Sequence, residues 1–503
     1  MKRSPADLPD GLKLFVFSIM AVGMFMALLD IQIVAASLPE ITSGLATGAD
    51  QGSWIQTSYL TAEIIMIPLS GLLSQAFSTR WVFTASAAAF TLSSVACGFS
   101  NSLEMAIFCR AVQGFVGGAM IPTVFATGYA LFRGPKQALI PAVLGMTSTL
   151  APVIGPSLGG WITDLLSWRW LFFINVLPGI AITILVPLYG EIDEADPEVL
   201  KGVDWWAVPL MAMFLGGLIY VLEEGPRYDW FNDEINYRVA WLSLLSGIAF
   251  LYRSFTQPRP VVNLSILLKP RFFLGSLFLW VTGAGIFTAI YLIPQFLAQI
   301  RHFRSLEIGK AVAITGFAQL FATPLAARLS QKLDARWMLI FGFLTFAAST
   351  YLSVSITSEW GAREFLWPQV LRGFSLMFCI VPATNMCLGS VPPEQLKAAS
   401  GISNLMRNLG GAVGIALANT VLNDRYRLHF SRLTEQFTAA NERFAQAVDE
   451  NGMLRVVGLI NREAHTLAFS DAFLLLGALF VGALVLLPMS PPIPPTAVKA
   501  AEH

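Results

Sequence analysis

The sequence predicts an all-α membrane protein of fourteen spanning helices, built as two six-helix bundles with two further helices inserted between them. Three observations carry this. The chain is 55% hydrophobic and only 13% charged, with a mean hydropathy of +0.63, far from the balance of a soluble globular domain. Apolar runs of about 20 residues, the length that crosses a bilayer core, follow one another almost without pause. Finally, Pro68-Leu-Ser-Gly-Leu-Leu-Ser-Gln-Ala-Phe-Ser-Thr-Arg80-Trp81 recurs 256 residues later as Pro324-Leu-Ala-Ala-Arg-Leu-Ser-Gln-Lys-Leu-Asp-Ala-Arg336-Trp337, identical at seven of fourteen positions. A repeat half the chain long on apolar segments means two related bundles facing each other across a central path.

The spans are expected near 13–36, 54–75, 81–99, 104–131, 138–162, 168–189, 204–222, 238–256, 272–298, 308–330, 337–357, 364–390, 397–423 and 468–489. The first begins behind Lys2 and Arg3, but no small-residue cleavage site follows it, so it reads as a retained helix and not as a signal peptide. The repeat closes span two and span ten, which sorts the chain into a first bundle (1–190), an inserted pair (191–270) and a second bundle (271–503). Within the second bundle a long loop is expected over 424–467. Its Tyr426, Phe430, Leu433, Phe437, Ala440 and Phe444 step by four and three, an amphipathic stripe that reads either as a cap on the membrane surface or as a docking surface for a periplasmic partner.

Lys and Arg set the expected orientation. With the N-terminus cytoplasmic, the cytoplasmic connections collect Arg80, Arg133, Lys136, Arg253, Arg259, Lys269, Arg271, Arg328, Lys332 and Arg336, and both termini face the cytoplasm. The acidic connection Glu191–Asp204 runs against that bias. Zero net charge argues against a nucleic-acid partner. Cys97, Cys109, Cys379 and Cys387 lie inside apolar segments without metal-ligand spacing and read as core residues, so no metal site is expected. There is no G-x4-G-K-[ST] loop, no H-E-x-x-H pair and no G-x-S-x-G elbow, and the four histidines are scattered. An enzyme or a receptor is thereby disfavoured against a transporter, and no cofactor beyond a proton gradient is expected.

Charges within spans are costly, roughly 2.5–3.5 kcal/mol each at a helix centre, and so mark cavities or partners. The acids are Asp30 and Glu63, and the bases Arg110, Arg372 and Arg407. Two readings of Asp30 and Arg110 stay open: a fixed pair that holds helices together, or a carboxylate that loads and unloads a proton as its surroundings change. Glu63 is the second proton-coupling candidate. Span five carries Gly145, Pro152, Gly155, Pro156, Gly159 and Gly160, a helix able to bend and to be approached closely. Gly145 and Gly155 return at the 256-residue offset as Gly401 and Gly411, while Arg407 stands where the first copy has Ala151. Asn404, Arg372 and Arg407 are the pathway candidates of the second half.

On these residues the chain resembles the major facilitator superfamily, and within it the fourteen-helix drug:proton antiporters of the EmrB/QacA type. The carriers are Leu29-Asp30-Ile-Gln-Ile-Val-Ala-Ala-Ser-Leu38-Pro39, Arg110-Ala-Val-Gln113-Gly114, Gly145 through Gly160, Trp168-Arg169-Trp170 with Asn175-Val-Leu-Pro178-Gly179, and Asn404-Leu-Met-Arg407-Asn408-Leu-Gly410-Gly411. The resemblance implies proton-coupled efflux of hydrophobic or amphipathic compounds across the bacterial inner membrane by alternating access. It also implies a periplasmic adaptor and an outer-membrane channel as partners. Export of a specific metabolite, siderophore or fatty acid on the same scaffold is the alternative. One departure stands out. The family's loop between spans two and three carries an acid where this chain has Gln75, and of its basic set only Arg80 remains. The second copy, with Arg328, Lys332, Asp334 and Arg336, is expected to carry more of the gating load.

Overall fold

The computed structural model describes residues 9–132, 136–137, 139–190, 192–440 and 450–489. Among them there is no strand, and fourteen helices are long and apolar enough to cross a membrane. They are α1 (Asp10–Ala36), α2 (Trp54–Phe77), α3 (Thr79–Gly98), α4 (Leu103–Leu131), α5 (Ile140–Leu165), α6 (Trp170–Tyr189), α7 (Ala207–Glu224), α8 (Glu234–Thr256), α9 (Pro270–Gln299), α10 (Glu307–Leu329), α11 (Ala335–Val354), α12 (Leu366–Leu388), α13 (Pro393–Glu435) and α14 (Arg455–Leu484). The expected spans are thus all present, most within a few residues. Large apolar side chains such as Leu92, Phe108, Leu177, Phe321 and Val485 point outward, as lipid-facing residues should.

α1–α6 pack together, as do α9–α14, and α5 against α10 and α2 against α13 join the two groups. α7 and α8 form a hairpin whose α7 lies on α2: Trp54 and Tyr220 rings stand 5.6 Å apart, and Gly216 faces Thr61 and Ile65. The connection from α6 to α7 is held at its α7 end by Arg253, which donates to both Asp204 carboxylate oxygens at 2.7 and 2.5 Å. That hydrogen-bonded guanidinium holds the Asp204 carboxyl below the usual carboxylate range.

The segment 424–467, expected as a long loop bearing an amphipathic helix, is where described a continuation of the spans on either side: the helix of α13 runs 45 residues, Leu396–Ala440, and the chain is helical again from Glu450 into α14. At about 1.5 Å per residue that first helix is ~67 Å long, twice the ~30 Å of a bilayer core, so its C-terminal half projects beyond the membrane. The reason is in the sequence: no Gly or Pro occurs between Gly414 and Gly452, so charged residues end the apolar span without ending the helix. Tyr426 stacks on His465 with ring centroids 4.0 Å apart, and His429 meets Asp471 at 2.9 Å, so the expected stripe begins inside a helical hairpin. Phe444 and Arg133 lie outside the described residues.

Candidate functional site

Asp30 sits on the last turns of α1 with no exposed surface. Its Oδ2 accepts from Arg110 Nη1 at 2.5 Å, and its Oδ1 accepts from Asn175 Nδ2 at 2.7 Å and Gln113 Nε2 at 3.2 Å. Gln113 Oε1 accepts in turn from Arg110 Nη1 at 2.8 Å, and Asn175 also donates to Ser94 Oγ at 3.0 Å. The Arg110 guanidinium lies over the Tyr59 ring, 4.1 Å from its centroid, with only Nη2 lacking an acceptor. A buried ion pair is tolerable when further hydrogen bonds fill its remaining capacity, and here α1, α3, α4 and α6 supply them. Asp30 is therefore enclosed within the first bundle, and each of these partners belongs to that bundle. Gln113 and Asn175 stood in the sequence motifs without an assigned role; they are what completes this network.

Glu63 is placed differently. It lies one turn before Ile67, on the side of α2 where Ile67 and Gly71 pack against Gly401 and Ala398 of α13; it is 5% exposed, and its carboxylate takes no hydrogen bond from a described residue. The charge that acts on it most strongly is Arg407 of α13, and Arg110 acts second. Arg407 is also 5% exposed, its Nε has no acceptor, and its guanidinium stands 5.7 Å from the Phe125 ring of α4. An acid of one bundle thus faces a base of the other, both buried, without a closed ion pair. The backbone that carries Glu63 is fixed by glycine: a Cβ on Gly118 would lie 2.5 Å from the Glu63 carbonyl oxygen, and one on Gly114 2.2 Å from that of Tyr59. Two glycines four apart on α4 let α2 approach at backbone distance.

The second bundle repeats this contact with different chemistry. Gly373 meets the Thr315 carbonyl as Gly114 meets that of Tyr59, a Cβ there lying 2.3 Å away. Gln369 Nε2 donates to the Ala311 carbonyl at 3.0 Å, as Arg110 Nε does to the Ile55 carbonyl at 3.5 Å, and both pairs of acceptors are 256 residues apart. Arg110-x-x-Gln113-Gly114 therefore corresponds to Gln369-x-x-Arg372-Gly373, with base and amide exchanged. Arg372 is 2% exposed, and none of its three guanidinium nitrogens has an acceptor among the described residues; Phe473 lies 5.9 Å from it. Asn404 donates to the Ser400 carbonyl of its own helix at 2.9 Å.

On α5, Gly155 packs against Gln32 and Gly159 against the Ile33 carbonyl, so these glycines seat α5 on α1. Gly145 faces Ile380 and Met377 of α12 in the second bundle. Pro152 and Pro156 lie inside a helix that continues through both, and Gly160 follows in the same helix. The four cysteines are free and buried, and among the described residues no three His, Cys, Asp or Glu converge as a metal site would need. Sequence reasoning missed Asp193 and Lys397, on the face where α1 begins; their signal is a lone acidic connection opposite a lysine at the start of α13.

A family model described as Major Facilitator Superfamily matches residues 20–415. The colistin resistance protein EmrB of Acinetobacter baumannii is 38% identical over 469 residues, 91% of each chain. The multidrug export protein EmrB of Escherichia coli K12 is 31% identical over 90% of this chain and 88% of that one. The fatty acid resistance protein FarB of Neisseria gonorrhoeae is 29% identical over 93% and 94%. Among solved structures, the human organic anion transporter MFSD10 superposes with a TM-score of 0.61 at 15% identity, covering 95% of this chain and all of that one, a likeness of fold.

Proposed function

Since this chain belongs to the major facilitator superfamily, as an EmrB-like multidrug efflux transporter, we propose that it exports hydrophobic and amphipathic compounds in exchange for protons by alternating access. The single observation that carries the coupling is Glu63 on the α2 face that packs on α13, toward Arg407, buried and without a hydrogen-bond donor among the described residues. A carboxylate so placed changes its environment whenever the bundles move, because the guanidinium that acts on it rides on the other body. The Arg407 charge pulls Glu63 toward its ionised form; as α13 withdraws that pull is lost and a proton is taken up, and its return inward releases about 2.3 kcal/mol per 100 mV before any pH gradient. Asp30, closed in by three donors, pins α1, α4 and α6 in this scheme so that the first bundle moves as one body.

The face bearing Arg80, Lys136, Arg259, Lys269 and Lys332 is assigned to the cytoplasm by its basic residues, with both termini on that side of a bacterial inner membrane. The helical hairpin beyond α13 then projects into the periplasm. It is the surface offered to an adaptor of a tripartite pump. A relative named for fatty acid resistance makes hydrophobic acids the second substrate class to test.

The test uses purified protein in proteoliposomes with dyes and hydrophobic acids. Glu63→Gln should abolish uptake driven by an imposed pH gradient while leaving exchange of labelled for unlabelled substrate in place. Undiminished gradient-driven uptake in that variant would refute the assignment.

A further inference from the structure

The turn between α2 and α3 lacks an acid that its repeat in the second bundle has. In the second bundle Asp334 caps α11, accepting from the Arg336 backbone at 2.9 Å. The residue 256 positions earlier is Ser78, whose backbone stands at φ +71° and whose side chain does not cap α3. The cap comes from elsewhere. Asp193, on the connection from α6 to α7, accepts from the Thr79 backbone at 2.9 and 3.1 Å, from Thr79 Oγ1 at 2.9 Å and from Ser78 Oγ at 2.9 Å.

The same carboxylate is bonded to Lys397 Nζ at the start of α13, in the second bundle. Lys397 also donates to the Ser74 carbonyl at 2.8 Å, and Gln75 Nε2 to the Glu394 carbonyl at 3.1 Å. Backbone contact is close here, since a Cβ on Gly71 would lie 3.0 Å from Ala398 Cα. The connection carrying Asp193 is tied at its far end to the inserted hairpin, by Arg253 to Asp204 and by Arg259 Nη1 to the Lys201 carbonyl at 2.6 Å. Midway, Asp196 N donates to the Gln75 carbonyl at 3.0 Å.

We propose that Asp193 is the positioning residue that closes this face: a borrowed cap for α3 that also bonds the second bundle through Lys397, on a strap whose far end the inserted helices anchor. This gives α7 and α8 a part in transport, because the bond must break each time the bundles separate here. Asp334 of the second copy caps its own helix, while the bond of Asp193 to Lys397 joins the α6–α7 connection to α13. The proposal rests on alternating access but not on Glu63 as the coupling acid, so its test omits substrate and gradient.

Lys397→Met keeps the cap and removes both bonds of Lys397, to Asp193 and to the Ser74 carbonyl, while that of Gln75 to Glu394 stays. In the full chain in nanodiscs, hydrogen exchange at residues 71–79 and 394–401 should rise about tenfold, the size expected for losing a charge-assisted bond, with Tm within about 2 °C of wild type. Asp193→Asn should add fast exchange in the first turn of α3 and a lower Tm. The double variant Asp193→Lys with Lys397→Asp should return 394–401 to within about twofold of wild type while the first turn of α3 stays fast, since attraction is restored and the cap is not. Wild-type exchange at 394–401 in Lys397→Met would overturn the proposal. So would a change confined to α3 in Asp193→Asn, which leaves a cap and nothing more.

Discussion

Asp30 and Arg372 are buried charges with opposite circumstances, and the difference decides what replacing each should do. Asp30 has Arg110, Gln113 and Asn175 as donors. Asp30→Asn leaves the Arg110 guanidinium enclosed without its counter-charge, a loss of about 3–5 kcal/mol, which should appear as a lower Tm and less folded protein in the membrane. Retained stability with lost transport would instead make Asp30 a proton carrier. Arg372 has no acceptor to lose among the described residues. Arg372→Met should leave stability unchanged or raise it by up to about 3 kcal/mol in denaturant titrations, since an uncompensated charge leaves the interior. A loss of more than about 1 kcal/mol would mean that a bound anion or water network offsets that charge. Sequence identified both residues as intramembrane charges, because hydropathy shows them at once. It offered Arg110 as a partner for Asp30 but not Asn175, since a partner 145 residues away is set by packing.

Helices meet at backbone distance only where glycine allows it, and this fixes where Glu63 stands. Gly114 and Gly118 of α4 face the Tyr59 and Glu63 carbonyls, whereas Gly458 near the start of α14 has nothing within 4 Å. Gly114→Ala should therefore destabilise the first bundle, forcing α4 and α2 apart, while Gly458→Ala should stabilise by about 0.5–1 kcal/mol as alanine does in an open helix. Thermal unfolding of the pair checks this, and equal effects would deny the close approach. The two glycines are readable in the sequence as a small-residue pair, but not the carbonyls they meet. The continuation of α13 beyond the membrane is hidden for an equally local reason: apolarity ends at Asp424 and Arg425, although nothing there breaks a helix.

At the scale of the molecule, the imperfections of the repeat locate the asymmetric chemistry. Arg407 replaces Ala151, Arg372 stands in the place of Gln113, and Ser78 in that of Asp334. What no repeat reveals is the role of the insert, which has no counterpart to compare. Its α7–α8 turn touches both bundles on the face opposite Asp193. There Arg227 Nη1 donates to Ser53 Oγ at 3.1 Å, Trp230 Nε1 to Thr420 Oγ1 at 3.1 Å and Asn423 Nδ2 to the Pro226 carbonyl at 3.0 Å. Alternating access opens one face while the other holds, so ties on opposite faces oppose each other in a single equilibrium. Trp230→Phe keeps an aromatic ring beside Phe231 and removes only the indole donor to Thr420. It should raise hydrogen exchange at 224–234 and 417–424 several-fold and lower it at 71–79, because the population shifts toward opening on the hairpin face. Lys397→Met should do the reverse. If either variant speeds exchange on both faces together, the ties only hold the fold, and the insert has no share in setting which side is open.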